Sequence, residues 1–354
     1  MQVIITRLFL FSVLSPFFGI AERKIDSTMI YHSKYTDRVI VSLYQSERSF
    51  NLGIQGFDGL EDSVLPVQYR SDARRASGIA LDWDKISLSF DYKLDIPDSA
   101  RSRRFGKSEY FNFTFGFSFR KILVETSFRK FQGFYDMNSP SYLQGFKSDT
   151  SAFYQNSDLT LARHNFKFLW FSNKDRFSPK APFNGIYRQK KSAAAWALVS
   201  NVAFSRMSSA GNLIPQPLSN QYADTRQVDG LRAFHLNFGG GGSVTLVILK
   251  GLFFNFSIWG GPDMQLLSVA DIYGIGRFKP NISFFAETRS SLGLNLRNFF
   301  VLISSFNDAT YFRFAQKLIS PSFLSAAFEI GYRFPSFKGR RIDKLKENKW
   351  YRML

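Results

Sequence analysis

Three histidines, His32, His164 and His235, are the main candidates for acid–base or metal chemistry, because the chain has no cysteine. His32 is followed directly by Ser33 but precedes the first confident strand, whereas the other two lie within predicted strands. A His and a Ser facing a bilayer could hydrolyse lipid, but no spacing in the sequence identifies the third group that would orient the His. We therefore predict no catalytic residue, metal ligand or cofactor, and keep an outer-membrane lipid-modifying hydrolase as an alternative.

The run Gly239–Gly242 is a second candidate, since glycine-rich loops can cradle phosphate groups. No Lys followed by Ser or Thr occurs at P-loop spacing, and no helical pattern begins there. Glycines within a strand more often relieve crowding where a curved sheet bends. We predict a bend or a bulge at this position.

Two basic clusters could bind anions, in a chain whose formal charge is +18. Excess charge of this kind is the usual sign of nucleic-acid binding, but an export signal at the N-terminus argues against that partner. We expect contacts with lipopolysaccharide and phospholipid headgroups in an outer membrane. Merely solvated loops, and a basic lumen that concentrates anions, are open alternatives. The clusters comprise Arg70, Arg74, Arg75, Arg101, Arg103, Arg104 and Lys107.

The N-terminus is typical of a signal for export. Arg7 precedes an apolar run, Leu8–Leu14, that is too short to span a bilayer, and small residues follow up to Ala21. We predict a signal peptide over residues 1–21, a barrel over 22–334 and a basic C-terminal tail over 335–354. Beyond the signal, no run of eighteen apolar residues predicts a spanning helix.

Alternation with period two predicts strands throughout the remaining sequence. The clearest case is residues 111–120, where every second residue from Phe111 to Phe119 is Phe and the intervening residues are polar or small. Similar patterns cover residues 86–94, 252–258 and 324–334. The chain contains 41 Phe, more than a close-packed soluble core needs but well suited to a face in contact with lipid. Alternation alone does not distinguish a barrel in lipid from a β-sandwich.

The connections favour the barrel. Short turns are predicted near residues 83–85, 120–122, 249–251 and 296–298. Along the chain they mostly alternate with longer polar stretches near 56–64, 95–107, 136–157, 207–230 and 261–278, as the short and long connections of an outer-membrane barrel do. A literal count gives thirteen strands, because both 173–176 and 189–192 look like turns. We predict an all-β fold, an antiparallel up-and-down transmembrane β-barrel of about 12 strands, within a range of 10–14.

The last predicted strand ends in Gly331, Tyr332, Arg333 and Phe334. Aromatic residues two apart at a strand end look like the signal by which the barrel-assembly machinery recognises its substrates. We therefore predict an assembly signal at Gly331, Tyr332 and Phe334. The chain continues for twenty residues beyond it, with seven basic residues against two acidic ones.

The sequence also resembles the domain of unknown function 4421 family, which is found in bacteria of the Bacteroidota type and is regarded as a family of outer-membrane barrels. The resemblance implies a location in the cell outer membrane and supplies no activity or catalytic residue. At residues 193–195 this chain has three alanines where the family often has Gly. The matching motifs are residues 35–38, 69–72 with Gly78 and Ile79, 173–178, 189–192 and 331–334.

Three functions follow as hypotheses. The first is a non-enzymatic outer-membrane barrel of uncharacterised role, such as a pore or a binding or structural barrel with basic loops or a basic lumen; its small-molecule substrate is unknown. The second is the lipid hydrolase. The third is a soluble periplasmic β-sandwich or lipid carrier.

Overall fold

The computed structural model describes residues 31–35, 38–56, 64–94, 99–119, 122–173, 175–222, 228–271, 274–276, 278–314 and 317–335. The predicted signal peptide and nearly all of the predicted tail lie outside these residues, as does the predicted turn at Arg120 and Lys121, so those predictions remain untested. No helix in the described ranges is long and apolar enough to cross a membrane.

Strands dominate the described chain. The strands are β1 (His32–Lys34), β2 (Arg38–Gly56), β3 (Val67–Arg70), β4 (Ala76–Trp83), β5 (Ile86–Lys93), β6 (Glu109–Phe119), β7 (Ile122–Asp136), β8 (Tyr154–Phe171), β9 (Tyr187–Gln189), β10 (Ala193–Ser208), β11 (Val228–Val247), β12 (Leu252–Asp271), β13 (Gly274–Ile275), β14 (Lys279–Asn295), β15 (Phe299–Thr310), β16 (Phe312–Phe314) and β17 (Lys317–Pro335). The helical elements are α1 (Ser99–Phe105) and two 3-10 turns, Ser139–Ser141 and Gln216–Tyr222.

Twelve of these strands form one closed antiparallel ring. Its order is β2, β4, β5, β6, β7, β8, β10, β11, β12, β14, β15 and β17, and β17 pairs with β2 along its whole length, from Lys317 opposite Gly56 to Pro335 opposite Arg38. Successive ring strands are neighbours, which confirms the predicted up-and-down barrel of about twelve strands. A two-sheet sandwich does not match this topology.

The rows of phenylalanine point outward. Phe113, Phe254 and Phe256 are each more than one-third exposed, whereas Asp91, which alternates with Phe90 on β5, is completely buried in the lumen. A soluble protein rarely leaves so many large apolar side chains uncovered. The exterior is apolar, as a barrel that lies in lipid requires, and the interior combines polar and charged side chains with apolar clusters.

The two ends of the barrel differ. We call the end with the short connections, such as that between β4 and β5, the turn end, and the opposite end the loop end. At the loop end β3 pairs with both β2 and β7, so the ring bypasses β4, β5 and β6 there. Because three ring strands are bypassed, the circumference of the barrel is smaller at the loop end.

Two local expectations need correction. The long connection expected near residues 261–278 is mostly strand, because β12 continues to Asp271. The register between β11 and β12 has the same offset on both sides of Gly239, so the run Gly239–Gly242 contains no bulge. It allows close approach of the two backbones instead: a Cβ on Gly241 would lie 2.0 Å from the carbonyl oxygen of Ile258.

Candidate functional site: a plugged lumen

The connection between β8 and β10, residues 172–192, is the main departure from an open barrel. It begins and ends at the turn end, yet Phe177 and Ile186 within it are almost fully buried among lumen side chains. Its β9 pairs with the N-terminal β1, with Ser33 opposite Arg188. We call residues 172–192 together with β1 the plug. The two turns predicted at 173–176 and 189–192 are therefore the ends of one connection, which explains the surplus thirteenth strand.

Hydrogen bonds hold the plug against the barrel wall. Asn184 Nδ2 donates to Ser87 Oγ at 3.3 Å, and Asn295 Nδ2 donates to the carbonyl oxygen of Tyr187 at 3.1 Å. Within the plug, the side chain of Gln189 accepts from the backbone N–H of Ser178 at 3.0 Å and donates to the carbonyl oxygen of Arg176 at 2.6 Å. Burial of an irregular segment is tolerated because its polar backbone groups find these partners.

Arg333 ties the plug to the last strand. Its guanidinium is 1% exposed and donates to the carbonyl oxygen of Gly185 at 2.7 Å and to Asn295 Oδ1 at 2.7 Å. Its carbon centre lies 4.3 Å from the centroid of the Tyr35 ring. Tyr35, Gln189 and Arg333 belong to three of the motifs that carry the family resemblance; Gln189 lies within the plug, and Arg333 contacts both the plug and Tyr35.

Lys180 places a charge in the floor of the lumen. Its Nζ donates to the carbonyl oxygen of Lys85 at 3.2 Å and to Ser87 Oγ at 3.4 Å. Burial lowers the pKa of Lys180 to about 8, and the nearby carboxylates of Asp82 and Glu125 oppose that shift. The plug therefore holds the ammonium group of Lys180 in the lumen, although the charged form of this group would be more stable in water.

Two ionic clusters cross the middle of the lumen. In the first, Arg289 on β14 binds Glu125 on β7 through both ends of its guanidinium, at 2.6 and 2.9 Å, and Lys167 on β8 pairs with Glu287 on β14. In the second, Asp308 on β15 pairs with Arg129 on β7 at 3.1 Å and with Arg163 on β8 at 3.6 Å. Because these strands lie far apart around the ring, the ion pairs bridge the lumen and obstruct it.

His235 lies in a hydrogen-bonded arrangement that the sequence did not reveal. Its Nδ1 is 3.0 Å from Asp263 Oδ2, and its Nε2 is 3.4 Å from Ser205 Oγ. These are the residue types and order of a hydrolytic triad. However, Ser205 is in the middle of a strand paired on both sides, so neighbouring backbone N–H groups are engaged in the ladder, and the adjacent void is only about 20 Å³. His164, by contrast, points outward and packs against Phe128.

An apolar cluster closes the loop end. It joins Phe50, Tyr69 and Phe131 on the wall with Leu218 and Tyr222 of the connection between β10 and β11. The Tyr222 hydroxyl donates to the carbonyl oxygens of Ile54 and Leu65, at 3.2 and 2.8 Å. Side chains of the described residues therefore lie in the lumen at both ends and in its middle.

The predicted anion-contact residues lie at the loop end but differ in their surroundings. Arg74, Arg75, Arg103 and Lys107 are exposed, and Arg70 is half-buried, with its Nε donating to Ser49 Oγ at 3.2 Å. Arg101 on α1 binds the buried carboxylate of Asp72, with Nε donating to Oδ2 at 2.6 Å. Arg101 and Arg104 both lie over the ring of Phe105, at 5.0 Å. Headgroup contact remains a prediction for all seven residues.

The predicted assembly signal divides between the two faces of β17. Tyr332 and Phe334 are nearly half exposed on the outer face, with their ring centroids 4.7 Å apart. Gly331 faces inward, where a Cβ would lie 2.2 Å from Cζ of Phe300. Recognition by the assembly machinery remains a prediction, and the position of Gly331 has a separate packing reason.

The sequence profile described as Domain of unknown function (DUF4421) matches residues 24–334. This chain belongs to the DUF4421 family. No curated protein matches this DUF4421 chain.

Solved barrels resemble the DUF4421 chain only distantly. The outer membrane protease OmpT from Escherichia coli is 7% identical, with 87% of this chain and 99% of the protease covered and a TM-score of 0.38. An outer membrane channel from Pseudomonas putida F1 is 7% identical, with coverages of 88% and 100% and a TM-score of 0.37. The toluene transporter TodX from Pseudomonas putida is 8% identical, with coverages of 84% and 90% and a TM-score of 0.29.

Sequence reasoning missed most of the lumen residues of this DUF4421 protein. Alternation over residues 324–334 places Arg333 opposite apolar positions, but its partners, like those of Glu287 and Arg289, depend on the curvature of the barrel, which no spacing reveals. The sequence did not identify Ser205 and Asp263 as partners of His235 for the same reason. Within the described residues, no group of three or more His, Asp or Glu is placed to hold a metal ion.

Proposed function

We propose that this protein is an integral outer-membrane barrel, without enzymatic activity, whose lumen is closed at rest by the plug and by the loop-end cluster. The turn end lies in the periplasm and the long connections face outward. Movement of small polar solutes through it requires displacement of both closures. The exposed basic residues at the loop end contact anionic headgroups in this arrangement.

The seated plug is the observation that carries the proposal. An unobstructed pore has a water-filled lumen lined by side chains of its strands. Here residues of a connection occupy that space at the turn end, and ion pairs between opposite walls occupy its middle. A barrel built in this way holds or admits a solute only after a conformational change.

Planar-bilayer recording with purified full-length protein tests the closed lumen. We expect no steady open-channel current from the parent protein. A variant in which short Gly-Ser linkers replace both residues 177–186 and residues 211–220 should conduct, and the two single replacements should conduct less. Steady currents from the parent protein, at several salt concentrations, would overturn the proposal.

A lipid hydrolase is the second candidate, because Ser205, His235 and Asp263 are arranged as a triad. Labelling of the detergent-solubilised protein with a fluorophosphonate probe tests it, with Ser205→Ala and His235→Ala as controls. We expect no labelling, since the site lacks both space and oxyanion donors from the backbone. Labelling of the parent protein that both substitutions abolish would establish the hydrolase instead.

A further inference from the structure

Two guanidinium groups lie close together at the mouth of the barrel, which is the opening of the lumen at the turn end. Arg333, near the end of β17, donates from Nη1 to the carbonyl oxygen of Leu296 at 2.6 Å. Arg188, on β9 of the plug, has its Nη2 3.6 Å from the point that a Cβ on Gly251 would occupy, and Leu296 Cδ2 is 3.3 Å from the same point. The two arginines therefore flank Leu296, and their positive charges repel each other.

The hydrogen bonds of Arg333 do not neutralise its charge. Within the described chain its guanidinium donates to neutral oxygens, those of Gly185, Asn295, Leu296 and Arg297. Asp82 attracts Arg333 from deeper in the lumen, but the same carboxylate is also the electrostatic partner of Lys180. Because one carboxylate is shared between two cations, an excess of positive charge remains at the mouth.

Arg188 has unused hydrogen-bond donors. No described acceptor or acidic residue bonds to its guanidinium, and its Nε is buried without a partner. Buried polar atoms normally have partners, so this arginine gives independent evidence for a ligand. The side chain as a whole is only half-buried, so a ligand at the mouth can reach it. A guanidinium presents its donors in a fork that matches the oxygens of a phosphate, and its charge favours an anion.

Further cations lie beside this pair of arginines. Lys250 directly precedes Gly251 in the turn between β11 and β12, and Arg297 lies in the turn between β14 and β15; both are exposed. Among the turn-end residues that the structure describes, the acidic ones are Asp84, which is already in an ion pair, and Asp175, which is exposed on the plug. An anion that approaches the mouth is therefore attracted by several cations at once.

We propose that the mouth binds a phosphate group between Arg188 of the plug and the wall turns that carry Lys250 and Arg297. The phosphate is free in solution or belongs to a phospholipid headgroup, since the same cations suit both. A phosphate accepts hydrogen bonds from several donors, so one group can bridge the plug and the wall and hold the plug in place. The site deepens the closed barrel proposed above and rests on it, because Arg188 lies beside the wall turns only while the plug is in the lumen.

Calorimetric titration of the full chain, purified in a neutral detergent, tests the site in two arms. The first arm titrates inorganic phosphate, with chloride at equal ionic strength as its control. The second arm titrates a short-chain phosphatidylglycerol below its micellar concentration, with diacylglycerol of the same chain length as its control. We expect saturable binding of one phosphate group per chain in at least one arm, and the arm that shows binding identifies the source.

Substitutions locate the binding. Arg188→Gln should weaken phosphate affinity by about tenfold or more, because charge-assisted hydrogen bonds are lost. Arg206→Gln is the matched control, since it removes an exposed arginine near the loop end of β10, and it should leave the affinity unchanged. A double variant, Lys250→Gln with Arg297→Gln, serves as the second test if Arg188→Gln does not fold.

Three results would overturn the site. The first is the absence of saturable binding in both arms, and the second is binding that survives both the single and the double substitution. The third is an equal loss of affinity in Arg206→Gln, which would show an effect of net charge alone.

Binding is measured without a bilayer, so failure of the site is distinguishable from failure of the closed barrel. A parent protein that carries no current and binds no phosphate overturns the site alone. A parent protein that conducts steadily overturns the closed barrel, and with it the position of the plug on which the site depends.

Discussion

Gly331 belongs to the predicted assembly signal and also has a packing role inside the barrel. The sequence places it in a terminal signal for assembly, whereas the structure places its α-carbon against the ring of Phe300, which also contacts the plug at Gly185. A side chain at residue 331 would displace the ring that supports the plug. Packing alone therefore requires glycine here, whatever role the outward-facing Tyr332 and Phe334 have.

Gly331→Ala separates the two explanations. We expect it to lower the stability of the refolded barrel by about 1–3 kcal/mol, because the added methyl group overpacks the contact with Phe300. The urea midpoint of detergent-solubilised protein measures this effect. Phe300→Leu in the same chain should restore much of the loss. A defect that Phe300→Leu does not relieve would argue against the packing explanation.

Lys180 predicts a pH dependence of stability. Its pKa is about 8 in the folded protein and close to 10.5 when the chain is unfolded, so the unfolded state binds more protons between these values. Stability should therefore rise with pH, by on the order of 1 kcal/mol between pH 7 and pH 9. The charged groups that face Lys180 are Asp82, Glu125, Lys34 and Asp84.

Urea unfolding at pH 7 and pH 9 measures this gain, with Lys180→Met as the matched control. Other groups titrate in both proteins, so the informative quantity is the difference between them. The parent protein should gain more stability than the variant. An equal gain in the two proteins would show that Lys180 is not buried as the structure has it.

At the level of whole elements, the strands were predictable and the plug was not. Alternation at residues 111–119 and 324–334 places large apolar side chains on one face of a strand and mostly polar or small ones on the other. Strands of this kind pair with neighbouring strands through backbone hydrogen bonds. Residues 172–192 contain turn signals at both ends but no periodicity that indicates burial. Their position depends on Arg333, Asn295 and Ser87, which come from distant strands.

Paired cysteines test the short sheet within the plug, since the natural chain has no cysteine. Ser33 lies opposite Arg188 in the antiparallel pair of β1 and β9. The Cα atoms of such partners are about 4.5–5.5 Å apart, within the range of a disulfide. Ser33→Cys with Arg188→Cys should therefore form a disulfide readily under mild oxidation, as measured by loss of free thiols.

Ser33→Cys with Tyr187→Cys is the control for that experiment. Residue 187 is shifted by one position, so its side chain points to the other face of the strand. Much slower oxidation is expected for this pair. Equal rates for the two pairs would indicate that β1 and β9 are not held in the register described.

Considered as a whole molecule, the barrel combines a lipid-compatible exterior with an interior that the described residues of the plug, the ion pairs and the loop-end cluster occupy. The sequence predicted the exterior, the approximate strand number and the alternation of short and long connections. It could not predict the closed interior, because the ion pairs Arg289–Glu125 and Lys167–Glu287 form only once the ring closes. Pairs of this kind contribute more to a defined arrangement than to net stability, since desolvation offsets much of their attraction.

Fluorescence quenching by brominated lipids tests the orientation of the strands most directly. Trp196 is 53% exposed on the outer face of β10, whereas Trp259 is 3% exposed in the lumen on β12. Two variants, each with the other four tryptophans replaced by Phe, are reconstituted in liposomes of brominated phospholipid. Strong quenching of Trp196 and little quenching of Trp259 are expected. Equal quenching, or stronger quenching of Trp259, would contradict a barrel whose apolar rows face hydrocarbon and whose polar rows face an enclosed lumen.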